Sequence, residues 1–179
     1  MTPKTTNTAD LSGVPTGLVA HTFLRLRGAQ DGEITVHHAG TRSARVLVRW
    51  GGLLMTFFSA SAAQGVLEGF ATARQALIAV PAELGHLPAD PYDQPSISIE
   101  WARRPNFAVM SREATDPKRR RVAHWADLYM GPVTFQILDR AAFVSAVELL
   151  RRAHRTAVAV CPDGPDFDAD PTRDDYRPE

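Results

Sequence analysis

Two hydrophobic spacings alternate along the chain. Residues 18 to 58 hold four short apolar runs, LVAHTFLRLR (18–27), EITVHH (33–38), ARVLVRW (44–50) and LLMTFF (53–58), separated by GAQDG, AGTRS and GG. Val46, Val48 and Trp50 alternate with Arg45 and Arg49, the two-residue period of a half-buried strand. Gly51-Gly52 between Trp50 and Leu53 is a hairpin signal, because glycine supplies the positive φ of a tight turn. After Phe58 the period lengthens. Ala63, Val66, Leu67, Phe70, Ala73 and Leu77 recur at three and four residues, with Gln64, Glu68, Thr72 and Gln75 on the other side. This predicts an amphipathic helix over 59–80, capped by Ser59 or Ser61 and ended by Pro81.

The pattern then runs a second time. Three prolines mark residues 82–95 as a connection. Strand-like runs follow at SISIEWAR (96–103), NFAVMSR (106–112), RRVAHWADLYM (120–130) and VTFQIL (133–138). A helix is expected from Asp139, a good N-cap, to about Ala159. A shift of 80 residues lays Gly51 on Gly131, Met55 on Phe135, Ser59 on Asp139 and Phe70 on Leu150. Either the domain is built twice, or two unrelated strand–helix units share a pattern. In both cases the expected class is α+β. Two ββββα halves (17–81 and 96–160) each form an antiparallel sheet covered by its own helix. A flexible N-terminal tail (1–16) and an acidic disordered tail (161–179) complete the layout.

The uncharged stretch from Trp50 to Leu67 spans eighteen residues, near the lower limit of a membrane helix at about 17–25. It contains three glycines, Gln64 and two serines, and a strand meeting a helix at Ser59 accounts for it. No membrane span is therefore expected. Gly65 and Gly69 form a GxxxG spacing that suits close packing on a sheet, or on a helix of a second copy in a homo-oligomer. The polar N-terminus lacks an apolar signal core, and the single cysteine, Cys161, forms no internal disulfide. Eighteen arginines against two lysines read as the codon bias of a high-GC bacterium. A cytoplasmic location is expected.

Net charge is zero but unevenly placed. Residues 161–179 carry seven acids and two arginines, so the remainder is basic. Within 101–125 stand Arg103, Arg104, Arg112, Lys118, Arg119, Arg120 and Arg121, against Glu113 and Asp116, with Trp101 and Trp125 beside them. Guanidinium groups meeting phosphates and rings stacking on bases are how sheet surfaces hold single-stranded nucleic acid. A solvated hairpin turn has the same composition, and Trp101 shares the face of the apolar Ile97 and Ile99. The acidic tail either solubilises the chain, competes with nucleic acid for the basic residues, or docks a protein partner.

Catalytic signals are absent. His37-His38 would split across a strand, and His124 and Asp127, three apart, would face opposite ways. No metal spacing, nucleophile elbow or glycine-rich phosphate loop occurs, so no cofactor, metal or enzymatic activity is expected. The order ββββα–ββββα over residues 18–160 resembles that of the Whirly proteins and, more loosely, the Pur-repeat proteins. The resemblance implies a sheet surface that takes single-stranded nucleic acid. It is one of topology, and the lysine- and glycine-containing motif of Whirly proteins has no match in this chain. The expected function is a non-catalytic, single-strand-preferring nucleic-acid-binding protein. The alternative is a protein–protein adaptor, chaperone-like or assembly module forming a homo-oligomer.

Overall fold

Strands and helices follow one another as β1 (Thr22–Leu26), β2 (Glu33–His37), β3 (Arg45–Trp50), β4 (Leu53–Phe57), α1 (Ala60–Ala73), β5 (Ile97–Trp101), β6 (Phe107–Asp116), β7 (Arg121–Met130), β8 (Val133–Ile137) and α2 (Arg140–Val160). The computed structural model describes residues 21–85, 96–116 and 121–178. The tail expected over 1–16, residues 86–95 of the Pro-rich connection, and Lys118, Arg119 and Arg120 lie outside the described residues. The fold is α+β, with two four-stranded sheets and two long helices. No helix among the described residues is long and apolar enough to cross a membrane. The uncharged stretch is β4, the cap Ser59 and the start of α1.

Strand pairing corrects the expectation of two self-contained antiparallel sheets. Sheet I has the order β1-β8-β7-β6 and sheet II the order β2-β3-β4-β5. Each sheet takes its first strand from the other half, and that strand pairs in parallel, β1 with β8 and β5 with β4. Neither half closes a sheet by itself. The physical cause lies in the linkers. Residues 28–32 read as a tight turn, but α2 captures them. Gly28 N–H donates to the Asp139 carboxylate at 2.9 Å, and Gln30 N–H to Ser145 Oγ at 2.7 Å. The second linker is held by α1 in the same way, through Arg104, which donates to Gln64 Oε1 at 2.5 Å and pairs with Glu68. A chain pinned to the far helix cannot return as a hairpin beside the strand it has just left.

The 80-residue offset relates the central registers. Val48 lies opposite Met55, and Leu128 opposite Phe135. Gly51 and Gly131 turn these hairpins with φ of 55° and 58°, which a side chain would strain. Ser59 accepts from Ala62 N–H at 3.1 Å and Asp139 from Ala142 N–H at 2.8 Å, so both long helices carry a side-chain cap. The core joins the halves. Phe135 of β8 stacks on Trp50 of β3 at 6.4 Å and meets Phe70 of α1 edge-on at 5.1 Å.

Helix α1 departs from the amphipathic reading. Its polar residues Gln64 and Glu68 are buried, beneath the β5–β6 linker and the C-terminal segment. Of the two uses expected of Gly65 and Gly69, packing on a sheet or on a helix of a second copy, the first holds for Gly69, and both glycines are buried inside this chain. A Cβ at Gly65 would lie 2.9 Å from Pro105 Cδ, and one at Gly69 would overlap Met130 and lie 3.2 Å from the Phe107 ring. That packing position corrects the homo-oligomer assignment of the two glycines.

The expectation of a disordered acidic tail is also corrected. Residues 161–178 pack along α1 and α2. Helix α1 has no acid in its own first turn, and Asp163 supplies one from a distance. Its two oxygens accept from Ala60 N–H at 2.9 Å and Ser61 N–H at 3.0 Å, satisfying orphan donors where the helix dipole favours negative charge. Gln64 Nε2 donates to Ala169 O at 3.0 Å, and the buried His154 Nε2 lies 2.8 Å from Phe167 O. Three of the acids are engaged in internal bonds, Asp163 at α1, Asp170 with Thr172 and Arg151, and Asp175 with Arg173.

This docking is expected to be acid-labile. Burial holds His154 below its ordinary value, against the smaller pull of Asp170 and Asp168. Burial alone would raise Asp170, but two bonds from Thr172 and the charge of Arg151 bring it lower. A histidine lowered on folding binds its proton more readily when unfolded, so its stabilisation is lost as pH falls below about 6.5. A lowered carboxylate acts in the same direction further down, losing its contribution as pH falls through its folded value. Thermal stability is expected to drop between about pH 7 and pH 5. His154→Gln should flatten that limb; an unchanged melting temperature across the interval would contradict it.

Candidate functional site

Helices α1 and α2 pack on the inner faces of the two sheets, and the outer face of sheet I carries a group of aromatic and polar side chains. Alternation along each strand places Phe23 and Arg25 of β1, Gln136 of β8, Trp125, Asp127 and Tyr129 of β7, and Met110 and Arg112 of β6 on that face. Phe23 is 58% exposed and Met110 48%. His21 stands beside Phe23, with ring centroids 4.9 Å apart, and bonds Thr134 Oγ1 at 2.7 Å.

Asp127 organises the face. It is 4% exposed although it points away from the core, because four side chains close over it. Trp125 Nε1–H donates at 3.0 Å, Gln136 Nε2 at 3.1 Å, Arg112 Nε at 3.1 Å and the Tyr129 hydroxyl at 3.2 Å. Arg112 also donates to the Tyr129 hydroxyl at 2.7 Å, and Arg25 to Gln136 Oε1 at 3.1 Å. The Tyr129 and Asp127 bonds hold the Arg112 guanidinium charged, raising it above its ordinary value. A buried carboxylate costs free energy unless its lone pairs are filled, and here four donors fill them. The polar edges of Trp125 and Tyr129 thus turn onto Asp127. At the corresponding register of sheet II stands Leu47, paired with Thr56 as Asp127 is with Gln136, so that sheet has no such hub.

The β6–β7 hairpin extends this face. Sheet I ends where Ala126 pairs with Ile137, yet β6 and β7 continue through five further pairs, from Arg112 opposite Trp125 to Asp116 opposite Arg121. The result is a two-stranded arm about 17 Å long. Its described residues are largely exposed, including Arg121 and Val122, the latter at 52%.

The residues singled out from the sequence fall into separate places. Arg112 and Trp125 meet as a cross-strand pair on the outer face of sheet I, and Arg121 is exposed on the arm. Arg103 is exposed on the β5–β6 linker, while Arg104 beside it turns inward to Gln64, Glu68 and the Tyr176 hydroxyl at 3.1 Å. Trp101 is buried in the core, paired with Phe57, so its assignment as a stacking residue is corrected. Sequence reading passed over Tyr129 and Asp127 as ligand-face residues, though the alternation Trp125–Asp127–Tyr129 was there to be used. Phe23 and Arg25 had no such signal, since they reach this face only through the strand exchange. Among the described residues no group of three or more histidine, cysteine or acidic side chains is placed to hold a metal ion. The chain matches no protein-family model, no curated protein and no solved structure.

Proposed function

We propose that the protein is a non-catalytic nucleic-acid-binding protein of the bacterial cytoplasm that holds single strands on the outer face of sheet I. The observation that carries this reading is the grouping of Phe23, Trp125 and Tyr129 with Arg25 and Arg112 on one sheet face that no helix of the described residues covers. The exposed Phe23 and the half-buried Trp125 and Tyr129 offer bases a stacking platform, and guanidinium groups meet the phosphates between them. The arm adds Arg121 beside the basic run 118–120. Arg104, Trp101 and the acidic tail drop out of the role first expected of them, because each is engaged inside the fold. The Whirly-like reading rests on two self-contained halves, from which the strand exchange departs, and it enters here as an analogy only.

Fluorescence anisotropy of a labelled oligothymidylate tests this. Binding is expected to weaken with salt, and Trp125→Ala to lower affinity about tenfold, since one stacked base is worth about 1–3 kcal/mol. Changing Arg119, Arg120 and Arg121 to alanine should reduce the salt slope. No binding at low salt, or binding indifferent to both variants, overturns the proposal. A second reading, a protein-binding assembly module, draws on Ile78 and Val144, which are 89% and 65% exposed on the helical side. Nucleic acid carried through purification, read as the ratio of absorbance at about 260 to 280 nm, favours the first reading over the second.

A further inference from the structure

We infer that a second copy of this chain pairs along the outer edge of β6, antiparallel about a two-fold axis, through the main chain. The argument is independent of any ligand. Strand β6 is the terminal strand of sheet I, bonded only to β7. Its other side meets no backbone partner among the described residues. It is ten residues long, whereas the other three edge strands, β1, β2 and β5, have five each. Folded proteins guard such edges by keeping them short or by placing proline, lysine or a bulge on them. The β6 sequence, FAVMSREATD, has no proline, glycine or lysine, and its register with β7 runs unbroken from Phe107 to Asp116.

The arm identifies the occupant. Beyond Ala126 it is two strands without β8 beside them, and an isolated pair of strands is marginal in water. With all of β6 paired antiparallel, the arm of each copy lies against the sheet end of the other copy's β6, and both arms are stabilised at once. An unrelated peptide would support only one arm. One self-complementary edge closes a dimer with no site left over for fibre growth. The strand carries one positive and two negative residues, Arg112 with Glu113 and Asp116, and in full antiparallel overlap none of the three positions falls opposite another charged one. A two-fold axis between antiparallel neighbours stands perpendicular to the sheet. The outer faces of both copies therefore lie on the same side of one eight-stranded surface.

Sedimentation equilibrium should give twice the 19.6 kDa chain mass. In amide hydrogen exchange on the intact protein, every β6 amide should be slow in the dimer. In a monomer alternate β6 amides face solvent and exchange fast, while the others stay bonded to β7. Glu113→Pro and Ala114→Pro, both at exposed positions of the strand, point their missing N–H groups to opposite sides of it. One of them removes a bond to β7, and the other leaves the monomer intact and should return the mass to a monomer's. A wild-type monomer overturns the inference, as does a dimer whose alternate β6 amides exchange fast. If neither proline variant folds, the exchange pattern of the wild type still decides.

Discussion

Asp139→Ala is expected to lower the free energy of unfolding by about 4 kcal/mol. Asp139 is fully buried, and its carboxylate serves three backbone donors. Oδ1 caps α2 by accepting from Ala142 N–H at 2.8 Å. Oδ2 accepts from Gly28 N–H at 2.9 Å and from Leu84 N–H at 3.2 Å. Alanine orphans all three, at about 1–3 kcal/mol each before relaxation. The loss also frees the linker that sends β1 into sheet I. Asp139→Asn separates the two roles. It keeps an oxygen for Ala142 but turns an amide donor toward Gly28 and Leu84, so a loss of about 2 kcal/mol is expected. Ser59→Ala, at the corresponding cap of α1, removes one bond and should cost about 1 kcal/mol. Urea unfolding of the three variants checks the order. An Asp139→Ala loss no larger than that of Ser59→Ala would show that the linker is not held by this carboxylate.

Gly164→Ala is expected to cost about 3 kcal/mol, through contact rather than through backbone conformation. A Cβ there would overlap the carbonyl oxygen of Val158 and lie 2.8 Å from its carbon and 3.1 Å from its Cα. All three atoms belong to the last turns of α2, where the backbone is fixed by its own hydrogen bonds and has no flexible end to yield. Relief comes by lifting the segment from the helix, which takes the neighbouring Asp163 off the N-terminus of α1. The variant should therefore melt at lower temperature. The amides of Ala60 and Ser61 should exchange faster, and limited proteolysis should cut within residues 162–178. An alanine variant with wild-type melting and an intact C-terminal segment would mean that the close approach is not required.

Much of the fold is legible along the chain because local chemistry specifies it. Alternation in β3, the glycines at 51 and 131, the caps Ser59 and Asp139 and the helical spacing of 60–73 each depend on near neighbours. The candidate face is legible in part. Arg112 and Trp125 were singled out by composition, and they do sit side by side. Trp101 belonged to the same group by the same criterion and is core, because composition does not say which face of a strand is inward. The acidic C-terminal segment misled for a related reason. Proline and aspartate signal disorder on average, but at 163 the aspartate meets helix donors that lie a hundred residues earlier in the chain.

What the sequence alone determines is the list of elements and their order, since strand period, turn glycines and helix caps act over a few residues. Which strands share a sheet was decided only in the tertiary structure. The bonds that route each linker join residues far apart, Gly28 to Asp139 and Arg104 to Glu68, and no local pattern encodes them. That routing brings Phe23 and Arg25 beside Gln136 and Asp127 and so assembles the face on which the proposed function rests.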